Sequence, residues 1–181
     1  MRLFVTIAAA SLAVTPAVAQ SAEPCLTPAE FSALAGYAMP SVIAGATKRC
    51  AATLNGQSYL GKQGPALATR YAAHKDTSWP MARTAFLKFT SNGDNKADAI
   101  LTGLPDTTLQ QMLDGVVEGM VAQEIPLKDC STIDKFVRLL APLPPENTAE
   151  LISLAVGLTS ASDKSGKNGK VSKLNICPAG Q

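Results

Sequence analysis

Residues 74–78, HKDTS, contain the side-chain types of a hydrolytic triad: a base, an acid and two hydroxyls. In such a site the base lies about 3 Å from the nucleophile, and a third group orients the base. Five neighbours at the end of a helix rarely converge in this way, and no serine stands in a G-x-S-x-G motif. His74 is the single histidine of the chain. We therefore interpret it as a helix-end residue beside Tyr71 and assign no catalytic residue.

Two carboxylate pairs have helical spacing. Glu146 and Glu150 lie four residues apart near a predicted helix start, where negative charge interacts favourably with the helix dipole. Asp114 and Glu118 share a helix face that we expect to point outward. A glycosidase needs two carboxyl groups that face each other across a cleft, about 5–10 Å apart. A hydrolase that acts on envelope polysaccharide therefore stays an alternative for an exported helical protein.

Residues 92–98, NGDNKAD, place oxygen-bearing side chains at alternate positions, as calcium loops do. Lys96 puts a cation where a ligand belongs, and the twelfth position of the loop is Gly103 rather than a glutamate. We therefore predict a turn between helices. A single histidine also gives little basis for a transition-metal site. The sequence predicts neither a metal nor a cofactor.

Met112, Val116 and Met120 form a stripe on one helix face. Such a stripe is typical of a core, although methionine also lines cavities that adapt to varied ligands. A carrier of an apolar small molecule is accordingly a second alternative. Four lysines near the C-terminus have the composition of a solubilising loop (Lys164, Lys167, Lys170, Lys173).

The first nineteen residues have the pattern of a secretory signal peptide. A basic start, Met1-Arg2, precedes an apolar run of about a dozen residues, and Ala17 and Ala19 supply the small residues of a cleavage site. The run is too short to span a bilayer. We expect a mature protein that begins at Gln20 and forms one domain over residues 20–181. It would be periplasmic in a Gram-negative host and secreted otherwise.

Four cysteines in an exported chain predict two disulfides. None of them has the two-residue spacing of a redox or zinc motif. Of the three possible pairings we favour Cys25–Cys50 with Cys130–Cys177, because each pair brackets one contiguous unit.

Charge argues against two classes of partner. The formal net charge is +2, and it falls to +1 when the signal peptide with Arg2 is removed. A chain so close to neutral has no electrostatic basis for binding either nucleic acid or an anionic membrane. The longest later apolar run, residues 151–158, is far shorter than a membrane-spanning helix.

Hydrophobic periodicity is helical over most of the chain. Residues 27–30, TPAE, are a capping box with proline at the first helical position, and Pro40 should kink or break the helix that follows. Residues 55–64 are predicted to be a loop, and Pro65 should open a second helix. A break over residues 76–78 precedes a third, with an apolar stripe (Met81, Ala85, Phe86, Phe89).

Asp106 should cap the most regular helix of the chain, whose apolar residues recur at three and four (Leu109, Met112, Leu113, Val116, Val117, Met120, Val121). Ser131 should cap another helix, with an inward face (Ile133, Phe136, Val137, Leu140). A last helix follows Pro144-Pro145, with its own predicted inward face (Leu151, Leu154, Ala155, Leu158). Residues 171–176 are predicted to form an extended arm that Cys177 holds.

These elements predict an all-α domain: a disulfide-stapled bundle of about six helices with an extended C-terminal arm. Aromatic residues make up 5% of the chain, so four phenylalanines should be the bulky core residues (Phe31, Phe86, Phe89, Phe136). The functional prediction is an exported binding protein whose partner is a protein or a small apolar ligand. An enclosed apolar cavity would favour the carrier, a groove with opposed carboxylates the hydrolase, and neither of these the interaction protein.

Overall fold

The structure, a computed structural model, describes residues 25–91, 95–162 and 176–177. Within these ranges the chain forms seven α-helices: α1 Pro28–Cys50, α2 Tyr59–Ala72, α3 Lys75–Thr90, α4 Asn95–Gly103, α5 Asp106–Glu124, α6 Cys130–Leu140 and α7 Pro145–Ser162. One turn of 3-10 helix, Leu127–Asp129, precedes α6. The β pairing within the same ranges is one isolated bridge between Leu26 and Ile176. The all-α prediction is confirmed, with seven helices rather than about six.

Helix α1 begins as its sequence predicts. The Thr27 hydroxyl accepts a hydrogen bond from the Glu30 amide, and the Glu30 carboxylate accepts one from the Thr27 amide at 2.9 Å. The predicted break at Pro40 is wrong, because α1 continues without interruption to Cys50. Proline inside a helix costs about 3 kcal/mol. Here Pro40 lies among buried residues of α1, and the burial of that surface offsets the cost.

Helix α2 begins six residues before Pro65, at Tyr59, so the predicted loop over residues 55–64 is too long. The Ser58 hydroxyl caps the helix by accepting the Gly61 amide. A second cap comes from a distant element, since the Asp134 carboxylate of α6 accepts the Leu60 amide at 2.7 Å. The break before α3 lies at residues 73–74 rather than at 76–78.

Helix α1 lies at the centre of the bundle and packs against α2, α3, α5 and α7. The main core cluster joins α1, α3 and α5 through buried side chains (Tyr37, Trp79, Ala82, Phe86, Leu109, Leu113). A second cluster joins α1, α2 and the end of α6. A third joins the start of α1 to α3 and α7. Contact with α1 therefore positions α2, α3, α5 and α7.

Several predicted inward faces are wrong. Phe89 and Phe136 are 52% and 60% exposed, whereas Phe31 and Phe86 are buried. On α5, Val116 and Met120 are 51% and 59% exposed. The stripe of α7 predicted to face the core lies mostly outward (Leu151, Leu154, Ala155, Leu158). The core side of α7 consists instead of Thr148, Ala149, Ile152 and Val156. Apolar residues occur all round α7, so periodicity alone could not select the buried face.

The cysteines pair as Cys25–Cys177 and Cys50–Cys130, with Cα separations of 5.1 and 5.4 Å. The predicted pairing is wrong, and the length of α1 explains why. At about 1.5 Å per residue, an unbroken helix of this length holds Cys25 and Cys50 roughly 35 Å apart. A disulfide requires Cα atoms within about 7 Å. Each disulfide therefore joins one end of α1 to a distant part of the chain.

The predicted C-terminal arm is described only at Ile176 and Cys177, where the Cys177 amide donates to the Leu26 carbonyl at 2.8 Å. The predicted signal peptide and the four C-terminal lysines lie outside the described residues, as do residues 92–94 of the predicted turn. None of the described helices combines the length and hydropathy that a bilayer span requires.

Candidate functional site

A groove of about 800 Å³ lies between α1, α3 and α7. Residues with small side chains on α1 form its floor (Ala29, Ser32, Ala33, Gly36). These residues recur at intervals of three and four, so they share one helix face. Because this face carries little side-chain volume, the space between α3 and α7 stays open.

Gly36 lies where the floor meets α7. A Cβ atom at this position would be 3.4 Å from the Cβ of Ala149, which is ordinary van der Waals contact. Ala149 is buried, and the Ser153 hydroxyl of α7 donates to the Pro28 carbonyl at 3.2 Å. The small side chains therefore bring α7 close to α1 and hold it there.

The start of α7 is anchored to the end of α2. The hydroxyls of Tyr71 and Thr148 form a buried hydrogen bond of 2.8 Å. Arg70 donates to the carbonyls of Ala141 and Leu143, in the turn before α7. These contacts place the first turn of α7, with Glu146, beside the α2–α3 junction.

His74 lies at that junction, and its Nδ1 is 2.8 Å from Oε1 of Glu146. Both side chains line the groove and are roughly half exposed. The acid that faces the histidine is thus Glu146, not Asp76 of the same segment. The sequence predicted Glu146 only as an acidic residue at a helix start.

The hydroxyls of the groove do not complete a triad. Thr77, Ser78 and Ser32 line the same groove. In the described part of the chain, however, Glu146 is the one side chain that makes a polar contact with His74. A triad requires the base to contact a nucleophile as well as its acid.

The carboxylates of the groove lie on one wall. Glu146 and Glu150 both project from α7, one helical turn apart, and both are exposed. Across the described lining, the facing helix α3 contributes no carboxylate. The arrangement thus differs from the opposed pair of a glycosidase.

The other carboxylate pair faces α1, which corrects the outward orientation predicted for it. Asp114 accepts hydrogen bonds from the Ser41 hydroxyl at 3.0 Å and from the Lys75 ammonium at 2.5 Å. Glu118 forms an ion pair with Lys48 at 3.4 Å. The Lys75 ammonium also lies 4.3 Å from the centre of the Tyr37 ring. Burial, reinforced by the charges of Asp114 and Asp76, raises the pKa of Tyr37, so its hydroxyl stays neutral.

No family model, curated protein or solved structure matches this chain.

The remaining candidate residues do not form sites. Across the described ranges, His, Cys, Asp and Glu side chains form no cluster of three that could hold a metal ion. The Asp98 carboxylate accepts a hydrogen bond from the Ser91 hydroxyl at 2.7 Å. Met112 packs against the main core, whereas Val116 and Met120 are exposed, so this stripe does not enclose a cavity. All four cysteines are in disulfides.

The edges of the groove are apolar and exposed. Met81 of α3 is 47% exposed, and Leu154 of α7 is 66% exposed. Leu151 and Leu158 share the face of α7 that carries Leu154, and they are 47% and 71% exposed. An apolar surface therefore continues from the groove along the outside of α7.

Proposed function

We propose that this protein is an exported binding protein whose α1/α3/α7 groove receives a segment of a partner protein. The observation that carries the proposal is the open groove with its small-residue floor and its exposed apolar edges, Met81 and Leu154. Apolar surface that extends beyond a single hollow is typical of a protein interaction site.

A protein segment suits this surface better than a small apolar molecule does. Small-molecule pockets enclose most of their ligand. The groove is open, and a molecule that filled it would leave Leu151 and Leu158 of α7 uncovered. A partner protein can fill the groove and cover this adjoining stripe together.

Export is the second part of the proposal. Its support is the signal-peptide pattern of residues 1–19 together with two disulfides, which persist in oxidising compartments. N-terminal sequencing of the protein recovered from its native host should give a start at Gln20 or within a few residues of it. Exported protein that retains Met1 would contradict this part.

Site-specific photocrosslinking in the host tests the docking site. Benzoylphenylalanine is placed at Met81, on the groove edge, and in a control at Ala66, which is exposed on α2 away from the groove. We expect a discrete crosslinked protein from position 81 and none from position 66. The crosslink should disappear when Ala33→Trp fills the floor and persist when Ala66→Trp adds the same side chain elsewhere.

Circular dichroism of each variant confirms that it is folded. A crosslinked product that survives Ala33→Trp in a folded protein would contradict docking in the groove. Identical crosslinked products from probes at positions 81 and 66 would also contradict docking in the groove.

A further inference from the structure

We infer that the segment bound in the α1/α3/α7 groove is amphipathic and cationic, with a lysine or arginine that pairs with Glu150 and Glu146. The inference rests on the proposed function and specifies the chemistry of the partner. Its basis is the set of charged side chains that line the groove beside the apolar edges.

Among the described residues that line the groove, few carry a charge. Helix α7 contributes Glu146 and Glu150, the α2–α3 junction contributes His74, and the lining residues of α1 are uncharged. His74 contacts Glu146, whereas the described residues hold no ion-pair partner for Glu150. An acidic wall beside apolar edges therefore fits a ligand that has both an apolar face and a positive charge.

The size of the groove fits a short stretch of helix. Its floor runs from Pro28 to Gly36 on α1, and at about 1.5 Å per residue this spans roughly 12 Å. Two helical turns of a partner have this length. They present apolar side chains at positions i, i+3, i+4 and i+7 toward a groove. A lysine on the flank of such a helix would lie beside the α7 wall.

His74 has a distinct role in this arrangement, because it competes with the cation of the partner for Glu146. The contact of 2.8 Å engages one oxygen of that carboxylate. Replacement of His74 by glutamine keeps a polar side chain of similar size but removes any positive charge. Binding of a cationic segment should then become tighter, whereas loss of either glutamate should weaken it.

The test uses the full mature chain and three labelled helical peptides of about 14 residues, a length at which helices begin to form in water. The peptides share one leucine face and carry lysine, glutamine or glutamate at the flanking positions. Fluorescence anisotropy measures the Kd of each peptide for wild type, Glu150→Gln, Glu146→Gln and His74→Gln. Glu124→Gln on α5 is the matched control, since Glu124 is exposed and outside the groove lining.

We expect the lysine peptide to bind about three- to fivefold more tightly than the glutamine peptide at low salt, as one exposed ion pair allows. The preference should fall below about twofold near 0.3 M salt, where exposed charges are screened. Glu150→Gln should remove most of the preference for the lysine peptide, and Glu124→Gln should leave this preference unchanged. His74→Gln should tighten binding of the lysine peptide alone.

If all three peptides bind with equal affinity and Ala33→Trp abolishes their binding, the cationic preference is overturned, whereas docking in the groove stands. The inference would also be overturned if Glu150→Gln and Glu124→Gln reduced the preference for lysine equally. The net charge of the protein would then explain the preference. Absence of binding by every peptide would overturn the inference as well, while the photocrosslinking result decides the proposed function separately.

Discussion

Gly45 shows how a single residue sets the distance between two helices. A Cβ atom at this position of α1 would lie 2.7 Å from the Glu118 carbonyl of α5 and 3.0 Å from the Cβ of Val121. A Cβ atom 2.7 Å from a backbone carbonyl oxygen cannot be accommodated without a shift of one helix. The absence of a side chain at Gly45 therefore permits the α1–α5 crossing on which the main core depends.

Gly45→Ala should lower the free energy of unfolding by about 1–2 kcal/mol, because overpacking outweighs the helix propensity gained from alanine. Gly115→Ala and Gly119→Ala on α5 should instead raise it by up to about 1 kcal/mol, since nothing lies within 4 Å of a Cβ atom at either position. Thermal unfolding followed by circular dichroism measures both. Equal shifts in Tm for the three variants would contradict the close approach at Gly45.

Glu30 couples the start of α1 to α3. Burial by itself raises the pKa of this carboxyl, but hydrogen bonds from the Lys88 ammonium and from Thr27 outweigh burial and hold the pKa below its ordinary value. The contact with Lys88 is 2.6 Å long. The ionised form therefore stabilises the fold at neutral pH, and this contribution is lost as the pH falls through the lowered pKa.

Glu30→Gln should lower the unfolding free energy by about 1 kcal/mol at pH 7, because the charge-assisted bond to Lys88 is lost. Glutamine can still complete the capping box, so the variant isolates the charge. The difference from wild type should shrink as the pH falls below about 4. Denaturant unfolding over this pH range measures it, with Glu150→Gln on the exposed side of α7 as the control. A difference that is constant with pH would contradict the assignment.

His74 provides a residue-scale test of binding against catalysis. Its contact with Glu146 has the geometry of a base and its orienting acid, yet no nucleophile in the described residues completes the set. Expressed at a matched level, the His74→Ala protein should therefore complement a deletion strain as well as the wild-type protein does. Loss of a general base would cost a factor of roughly 10² to 10⁴ in rate. Failure of a folded, abundant variant to complement, when it still binds the lysine peptide, would favour a hydrolase.

At the scale of elements, α5 has one buried and one exposed face, and the boundary between them is sharp. Leu113 is 6% exposed in the main core, while Val116, three residues later, is 51% exposed. Sequence periodicity predicted that both would be buried. The division arises because, among the described helices, α5 packs mainly on α1 and meets α3 through the side chains of the main core, so only one side of it is covered.

Leu113→Asp should lower the free energy of unfolding by about 4 kcal/mol or more, since it buries a charge among apolar side chains. Val116→Asp should change stability by less than about 1 kcal/mol, as exposed substitutions usually do. Urea unfolding of the two variants compares the faces of one helix directly. A large loss of stability at Val116 would show that this face is covered in solution.

At the scale of the whole molecule, the disulfides close the bundle at both ends of its central helix. Cys25–Cys177 joins the start of α1 to the C-terminal segment, and Cys50–Cys130 joins its end to α6. Both connect residues far apart in sequence. Cross-links that close long loops restrict the unfolded chain strongly.

Cys50→Ala combined with Cys130→Ala should lower the unfolding free energy by about 2–5 kcal/mol, the usual cost of losing a native disulfide. Both sulfur positions are buried, so alanine avoids placing a hydroxyl there. Peptide mapping of the wild type without reduction should recover the Cys25–Cys177 and Cys50–Cys130 peptides. Recovery of a Cys25–Cys50 peptide would contradict the unbroken α1.

The sequence by itself determined the features that depend on near neighbours. Thr27, Pro28 and Glu30 lie within one turn, so the capping box could be read directly and the structure contains it. The helical class also followed from local periodicity, and an even number of cysteines predicted disulfides. These inferences needed no knowledge of which elements come together.

Only the tertiary structure decided which distant residues meet. The disulfide pairing depended on whether α1 continues through Pro40, and the second cap at the start of α2 comes from Asp134 of α6. The groove depended on the placement of α7, which brings Glu146 to His74. Local propensity contains no information about such contacts, because burial and pairing between distant segments outweigh the preference of any single segment.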